Sequence, residues 1–250
     1  MHLKRSVRQL VAGTPAERPA RAVWGTLTWK SRARGAALAR KNTAYDELTL
    51  AVMRKVLRND SICVDAGAHH GAILRHMVEL APDGVHHAFE PLPWLARTLC
   101  TRFPTVAIHQ LALSDQAGDA QFRHVADAPS NSGFQRRPWD RYDEESVEII
   151  SVTVGCLDDV LPVELKVDFL KIDVEGSELQ LLQGATRVLT TDRPTVVIEV
   201  GLHAEAVYEE LRSCGLRVFT LDRWLEGRDA LEADDFRQAL ATDWYFMAHV

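Results

Sequence analysis

The chain has 250 residues, 46% of them hydrophobic, and a net charge of −6 with histidines neutral. That is enough apolar material for one sizeable core without a second domain. The acidic balance argues against a broad nucleic-acid surface, and no run reaches the roughly 18 uninterrupted apolar residues of a membrane helix.

Charge is uneven along the chain. Met1 to Lys41 holds ten Lys or Arg against the single acid Glu17, leaving 19 bases and 34 acids for the remainder. Such an arm, with Trp24 and Trp29, reads first as a solvated segment that packs on its own acidic body or on a partner subunit of a homo-oligomer. Peripheral docking to an anionic lipid surface is the second reading, and an Arg-rich, acid-poor composition also leaves a transit peptide open.

The domain expected from residue 42 onward begins with a helix from Ala44 to Leu57, its apolar face set by Leu48, Ala51, Val52 and Val56. Strand Ile62–Asp65, helix Ala72–Leu80, strand His86–Glu90, helix Trp94–Phe103 and strand Val106–Leu111 then form a βαβαβ half. Two β-rich runs, Ala120–Val125 and Val147–Val154, flank the polar stretch Ala126–Ser146 and predict a hairpin and a loop over the site. The alternation resumes with strand Asp168–Asp173, helix Ser177–Leu189, strand Thr195–Val200, helix Ala204–Cys214, strand Leu216–Leu221 and a last strand near Trp244–His249. Cys63, Cys100, Cys156 and Cys214 show no C-x-x-C spacing, which fits buried thiols in a reducing cytosol and argues against structural zinc.

Three acids end strands in the order of a nucleoside site. The run Ile62-Cys-Val-Asp65 followed by Ala-Gly67-Ala68-His69-His70-Gly71 suits a buried parallel strand turning sharply into a helix. Glu90 ends the next strand, where a carboxylate accepts both ribose hydroxyl hydrogens. The turn lacks the G-x-G-x-x-G spacing that lets a backbone approach a pyrophosphate, so the ligand expected is a nucleoside without a diphosphate. S-adenosylmethionine fits, its ammonium, ribose and sulfonium matching Asp65, Glu90 and Asp173. An NAD-linked oxidoreductase using Glu90 in the same way is the alternative enzyme. A non-catalytic module that senses a nucleoside and docks through its basic arm is the alternative of another class.

The blocks Asp65-Ala-Gly-Ala-His-His-Gly71, Phe89-Glu-Pro-Leu-Pro93, Leu111-Ala-Leu-Ser114 and Lys171-Ile-Asp-Val-Glu-Gly-Ser-Glu178 together resemble FkbM-type methyltransferases, from about Tyr45 to Val250. The resemblance implies a Rossmann-like class I α/β fold: a mostly parallel seven-stranded sheet with its last strand antiparallel, helices on both faces and a β-hairpin insertion. It implies a cytoplasmic S-adenosylmethionine-dependent O-methyltransferase acting on a hydroxyl of a saccharide, glycolipid or sugar-bearing natural product. Asp65, Gly67, Ala68, His69, Gly71 and Glu90 are then expected around the cofactor, with Ala112 against the adenine.

Asp173, Glu175, Glu199 and His203 lie at neighbouring strand ends and are expected to converge on one crevice. Two roles compete for them. In one, Asp173 orients cofactor or substrate while His203, oriented by Glu199, takes the hydroxyl proton. In the other, Asp173, Glu175 and Glu199 hold a divalent ion such as Mg²⁺ on the substrate oxygens. The metal-free route is the one favoured. The loop Ser130–Gly133 with Phe134, Arg136, Arg137, Trp139 and Arg141 reads equally as a substrate lip or as a solvated loop.

Overall fold

The structure, a computed structural model, describes residues 41–138, 140 and 142–250. The basic arm through residue 40, with Trp24 and Trp29, and the lip residues Trp139 and Arg141 lie outside the described residues. The chain divides into two compact units, Met1–Glu47 and Leu48–Val250. Residues 41–47 of the first are helical, and the named strands all belong to the second.

In the second unit residues 48–56 are helical (α1) and bury Val52 and Met53. β1 (Cys63–Ala66), α2 (Ala72–Leu80), β2 (His87–Phe89), α3 (Pro93–Arg102) and β3 (Ala107–His109) form the expected βαβαβ half. β4 (Ala112–Leu113), β5 (Gly118–Val125), β6 (Val147–Gly155) and the short helix α4 (Leu157–Val160) follow. The second half runs β7 (Phe169–Ile172), α5 (Glu178–Gln183), β8 (Thr195–Glu199), α6 (Ala204–Ser213), β9 (Arg217–Thr220), α7 (Leu221–Leu225), α8 (Ala233–Ala239) and β10 (Tyr245–His249).

Seven strands share one sheet in the order β3-β2-β1-β7-β8-β10-β9, with β10 antiparallel to both neighbours and the other pairs parallel. Strand alternation divides the apolar residues between two layers. Val64, Ala66, Leu170, Ile172, Val196 and Ile198 face a core shared with α5, α6 and α8, while Cys63, Phe169 and Val197 face one shared with α1, α2 and α3. β1 and β7 occupy the middle of the sheet. Their carboxyl ends therefore open at the point where strand order reverses, the place an open α/β sheet offers a ligand.

Three expectations are corrected. The strand expected over Val106–Leu111 stops at His109; Ala112 and Leu113 leave the main sheet and pair with Val154 and Gly155 of β6. With the long β5–β6 ladder they make a separate three-stranded sheet, packed through Phe122, Val152 and Val154 on Leu92 and Leu95. The helix expected over Ser177–Leu189 is broken after Gln183, at Gly184, where a Cβ would stand 2.0 Å from the carbonyl oxygen of Ser114; a π-helical turn, Val188–Asp192, follows. Helices α4, α7 and α8 were not anticipated. The four cysteines are free, Cys63 and Cys214 buried and Cys100 exposed. Among the described residues no helix is long and apolar enough to cross a membrane.

Candidate active site

The turn after β1 is fixed from two sides. The amides of Gly67 and Ala68 both donate to the carbonyl of Phe89 at 3.0 Å, which ties the turn to β2. On the other side a Cβ at Gly67 would lie 1.8 Å from the carbonyl oxygen of Asp173, and Gly67 has φ +77°. Only glycine meets both demands. His69 and Gly71 also take left-handed backbone angles, at φ 49° and 74°, and the turn delivers the chain into α2.

Glu90 follows β2 and is buried at 4% exposure. Its Oε2 accepts from the amide of His69 and its Oε1 from that of Leu92, each at 2.9 Å. Burial pushes its carboxyl up to about 7, against the pull of these two amides. Each oxygen keeps a second lone pair, so the pair of oxygens can still accept from two vicinal hydroxyls.

Asp65 sits at the expected place yet beneath the turn, 1% exposed. It stands opposite Lys171 in the β1–β7 ladder, and Nζ of Lys171 lies 3.4 Å from its Oδ1. The same ammonium donates to the carbonyl of Gly67 at 3.0 Å and pairs with Oδ2 of Asp173 at 3.4 Å. Burial opposes the charge on Lys171, but the two carboxylates outweigh it and hold the ammonium above its ordinary range. Asp65 thus reaches the crevice through Lys171. Of the other expected cofactor residues, Ala68 is buried in the layer with Leu74 and Leu99. Ala112 is buried beside Leu92 and Leu95.

At the ends of β7 and β8 one oxygen each from Asp173, Glu175 and Glu199 lies within 4.8 Å of the others. The structure brings these three together as expected. Tyr245 of β10 donates to Oδ2 of Asp173 at 2.8 Å. For Asp173, burial acts to raise the carboxyl, but the Lys171 ammonium and hydrogen bonds from Glu199 and Tyr245 prevail and hold it low. For Glu199 burial and the adjacent Asp173 charge act together, and its carboxyl is raised well above the carboxylate range. The two shifts run in opposite directions, Asp173 down and Glu199 up, as expected of neighbouring carboxyls joined by a hydrogen bond.

Glu175 has a left-handed backbone, φ 56°, and pairs with Arg137 from the insertion. Glu178 is buried, accepts from the amide of Gly176 at 2.7 Å, and is pushed up to about 7 by burial. His203 is placed differently from the expectation of a base oriented by Glu199. It is exposed at the start of α6 with φ 56° and has no side-chain hydrogen bond among the described residues. Glu199 instead serves Asp173.

A family model described as the methyltransferase FkbM domain matches residues 65–218, a span that contains the turn, Glu90, Asp173 and Glu199. The chain belongs to the FkbM methyltransferase family. Methyltransferase 1 of Beauveria bassiana is 29% identical, over 50% of this chain and 59% of that protein. Methyltransferase sdnD of Sordaria araneosa is 28% identical, over 51% and 61% respectively. The FkbM-family chain therefore spans about three fifths of the curated relatives it matches. In fold it is similar to the crystal structure of methyltransferase FkbM from Methylobacillus flagellatus KT, with a TM-score of 0.51 at 17% identity over 78% of this chain and 45% of that one.

The site of this FkbM-family chain suits S-adenosylmethionine chemically. Even with Glu199 left out, Asp65, Glu90, Asp173 and Glu175 outnumber Lys171 and Arg137, an acidic excess that matches a cationic ligand and opposes a phosphate. Nε2 of His69, in the turn itself, is buried without a hydrogen-bond partner. A Mg²⁺ site fits less well, because Lys171 and Arg137 already face two of the three carboxylates it would need.

Sequence reasoning missed the parts of Lys171, Tyr245 and Arg137's pairing with Glu175. A signal for Lys171 was present: a lysine inside the otherwise apolar Phe169–Ile172 needs a buried anion, and Asp65 was the strand-borne acid available. Nothing in the local sequence of Tyr245 pointed to Asp173.

Proposed function

We propose that this protein transfers the methyl group of S-adenosylmethionine to a hydroxyl oxygen, with Asp173 taking the hydroxyl proton. The observation that carries the reading is Asp173 at the end of β7, facing the Lys171 ammonium and accepting from Tyr245 beside a turn of the kind that holds a nucleoside, in a chain of the FkbM methyltransferase family. The cofactor, when bound, supplies an activated methyl carbon on sulfur. An alcohol is a weak nucleophile at neutral pH, and a positioned base contributes about 10²–10⁴-fold, the lower end applying to a carboxylate held low as Asp173 is.

In this scheme the acceptor oxygen forms the new C–O bond while the C–S bond breaks and its electron pair stays on sulfur. The hydroxyl proton goes to Asp173. Glu90 accepts from the ribose hydroxyls, Gly67 to Gly71 form the wall beneath the nucleoside, and Ala112 lines the adenine side. Lys171, Tyr245 and the protonated Glu199 keep Asp173 ionised until the proton arrives. Sugar-bearing molecules are the acceptor class taken, because the family resemblance points to saccharide and natural-product hydroxyls and a vicinal-diol-rich acceptor presents several oxygens to one base.

The test is calorimetric titration with S-adenosylmethionine followed by incubation with methyl-labelled donor and a panel of saccharides, glycolipids and glycosylated metabolites. Binding and label on an acceptor oxygen are expected. A folded protein that does not bind the donor overturns the reading.

A further inference from the structure

Three carboxyl groups within 4.8 Å of one another need compensation. Like charges at that separation repel appreciably even where solvent screens them. A divalent ion is one way to supply it; protein cations are another. Each of the three has a partner of its own. Asp173 has the Lys171 ammonium at 3.4 Å and the Tyr245 hydroxyl at 2.8 Å. Glu175 has the Arg137 guanidinium, and Glu199 is hydrogen-bonded to Asp173.

Arg137 does not come from the sheet. It belongs to the segment between β5 and β6, yet its side chain is only 7% exposed. Asp140 holds it there: the Arg137 amide donates to Oδ2 at 2.9 Å and Nε to Oδ1 at 3.0 Å. The same segment touches the turn a second time, where a Cβ at Gly133 would stand 2.8 Å from the carbonyl oxygen of Glu175. A surface arginine would be free to leave; this one is fixed by a buried carboxylate behind it and by backbone packing beside it.

We infer that Arg137 and Lys171 are the built-in counter-ions of the carboxyl cluster, and that Arg137 is a positioning residue acting through Glu175, so that the cluster works without a divalent ion and excludes one. The inference rests on the placement of the cluster in the active site of the proposed reaction, but its test does not depend on methyl transfer.

The test is titration of the full chain with Mn²⁺, followed by calorimetry and thermal shift, in wild type, Arg137→Gln, Arg137→Lys and the double variant Arg137→Gln/Glu175→Gln. Wild type and Arg137→Lys are expected to show no binding below about millimolar Mn²⁺. Arg137→Gln is expected to bind at least about tenfold more tightly than wild type, and the double variant to lose that gain. A purely structural arginine would change stability and leave the Mn²⁺ titration unmoved, which would overturn the inference. So would tight Mn²⁺ binding by wild type that disappears in Glu175→Gln, a result readable even if Arg137→Gln does not fold.

Discussion

The phenolic hydroxyl of Tyr245 donates to Oδ2 of Asp173 across 2.8 Å, from a strand that runs against the rest of the sheet. β10 lies beside β8 with Tyr245 in register with Glu199, so one strand places a neutral donor next to both members of the carboxyl pair. A donor on the charged form lowers a carboxyl pKa. In Tyr245→Phe the acidic limb of the pH–rate profile is expected to move to higher pH, with kcat at neutral pH within about threefold of wild type because Asp173 stays ionised there. An unmoved limb would separate the tyrosine from the ionisation of Asp173.

The carboxyls of Asp173 and Glu199 are shifted in opposite directions, Asp173 towards the ionised and Glu199 towards the protonated form, and amides tell them apart. Glu199→Gln replaces a neutral acid with a neutral amide of similar shape, so activity is expected within about threefold of wild type. Asp173→Asn removes the proton acceptor and is expected to cost about 10²-fold or more in kcat. Equal losses in the two variants would mean that the proton is not held as described.

Glu90 is expected to bind the ribose while it also holds the amides of His69 and Leu92. Glu90→Ala should therefore raise the Kd for S-adenosylmethionine by at least about tenfold, or 1.4 kcal/mol. It should also destabilise the free protein by about 1–3 kcal/mol through the unpaired amides. An unchanged Kd by calorimetry would remove Glu90 from the cofactor site.

The same residue gives a pH dependence whose sign is fixed. Its folded-state carboxyl titrates at about 7 against an ordinary 4.5, so the folded protein holds the proton more tightly than the unfolded chain. The stabilisation is complete below about 4.5 and is lost as the pH rises through about 7. Comparing denaturant unfolding of wild type and Glu90→Gln cancels the other titrating groups. The variant should gain relative stability with rising pH across that window, by at most about 1.4 kcal/mol per pH unit. A difference that does not vary with pH would contradict the burial of this carboxyl.

Gly67→Ala tests the turn. The new methyl group would meet the Asp173 carbonyl in a backbone region that alanine avoids, and a loss of more than about 2 kcal/mol is expected. A melting temperature within a degree or two of wild type would show that the two loops can part.

What was legible in the sequence was whatever is local in chain and periodic. The β1 turn, the acid after β2 and the block after β7 each advertise themselves within a few residues, and apolar alternation placed the strands that carry them. What was hidden depends on pairings made by the fold. Lys171 finds Gly67 from 104 residues away and Tyr245 finds Asp173 from 72. The need for glycine where α5 ends is invisible in the local helical pattern, because what crowds Gly184 is the backbone of Ser114, 70 residues earlier in the chain. His203 looked suitable as a base by type and spacing, yet its left-handed backbone leaves it exposed at the start of α6.

No side chain stands between the turn after β1 and the carbonyl of Asp173; two peptide planes touch there directly. The gap between a ligand resting on the turn and one resting on the acids is thus gauged by main chain, which substitution elsewhere cannot lengthen by exchanging one rotamer for another. Reacting centres tolerate displacement of only about 0.5 Å. The separation between turn and acids is therefore a constant of the central strands, set by backbone rather than by side-chain choice.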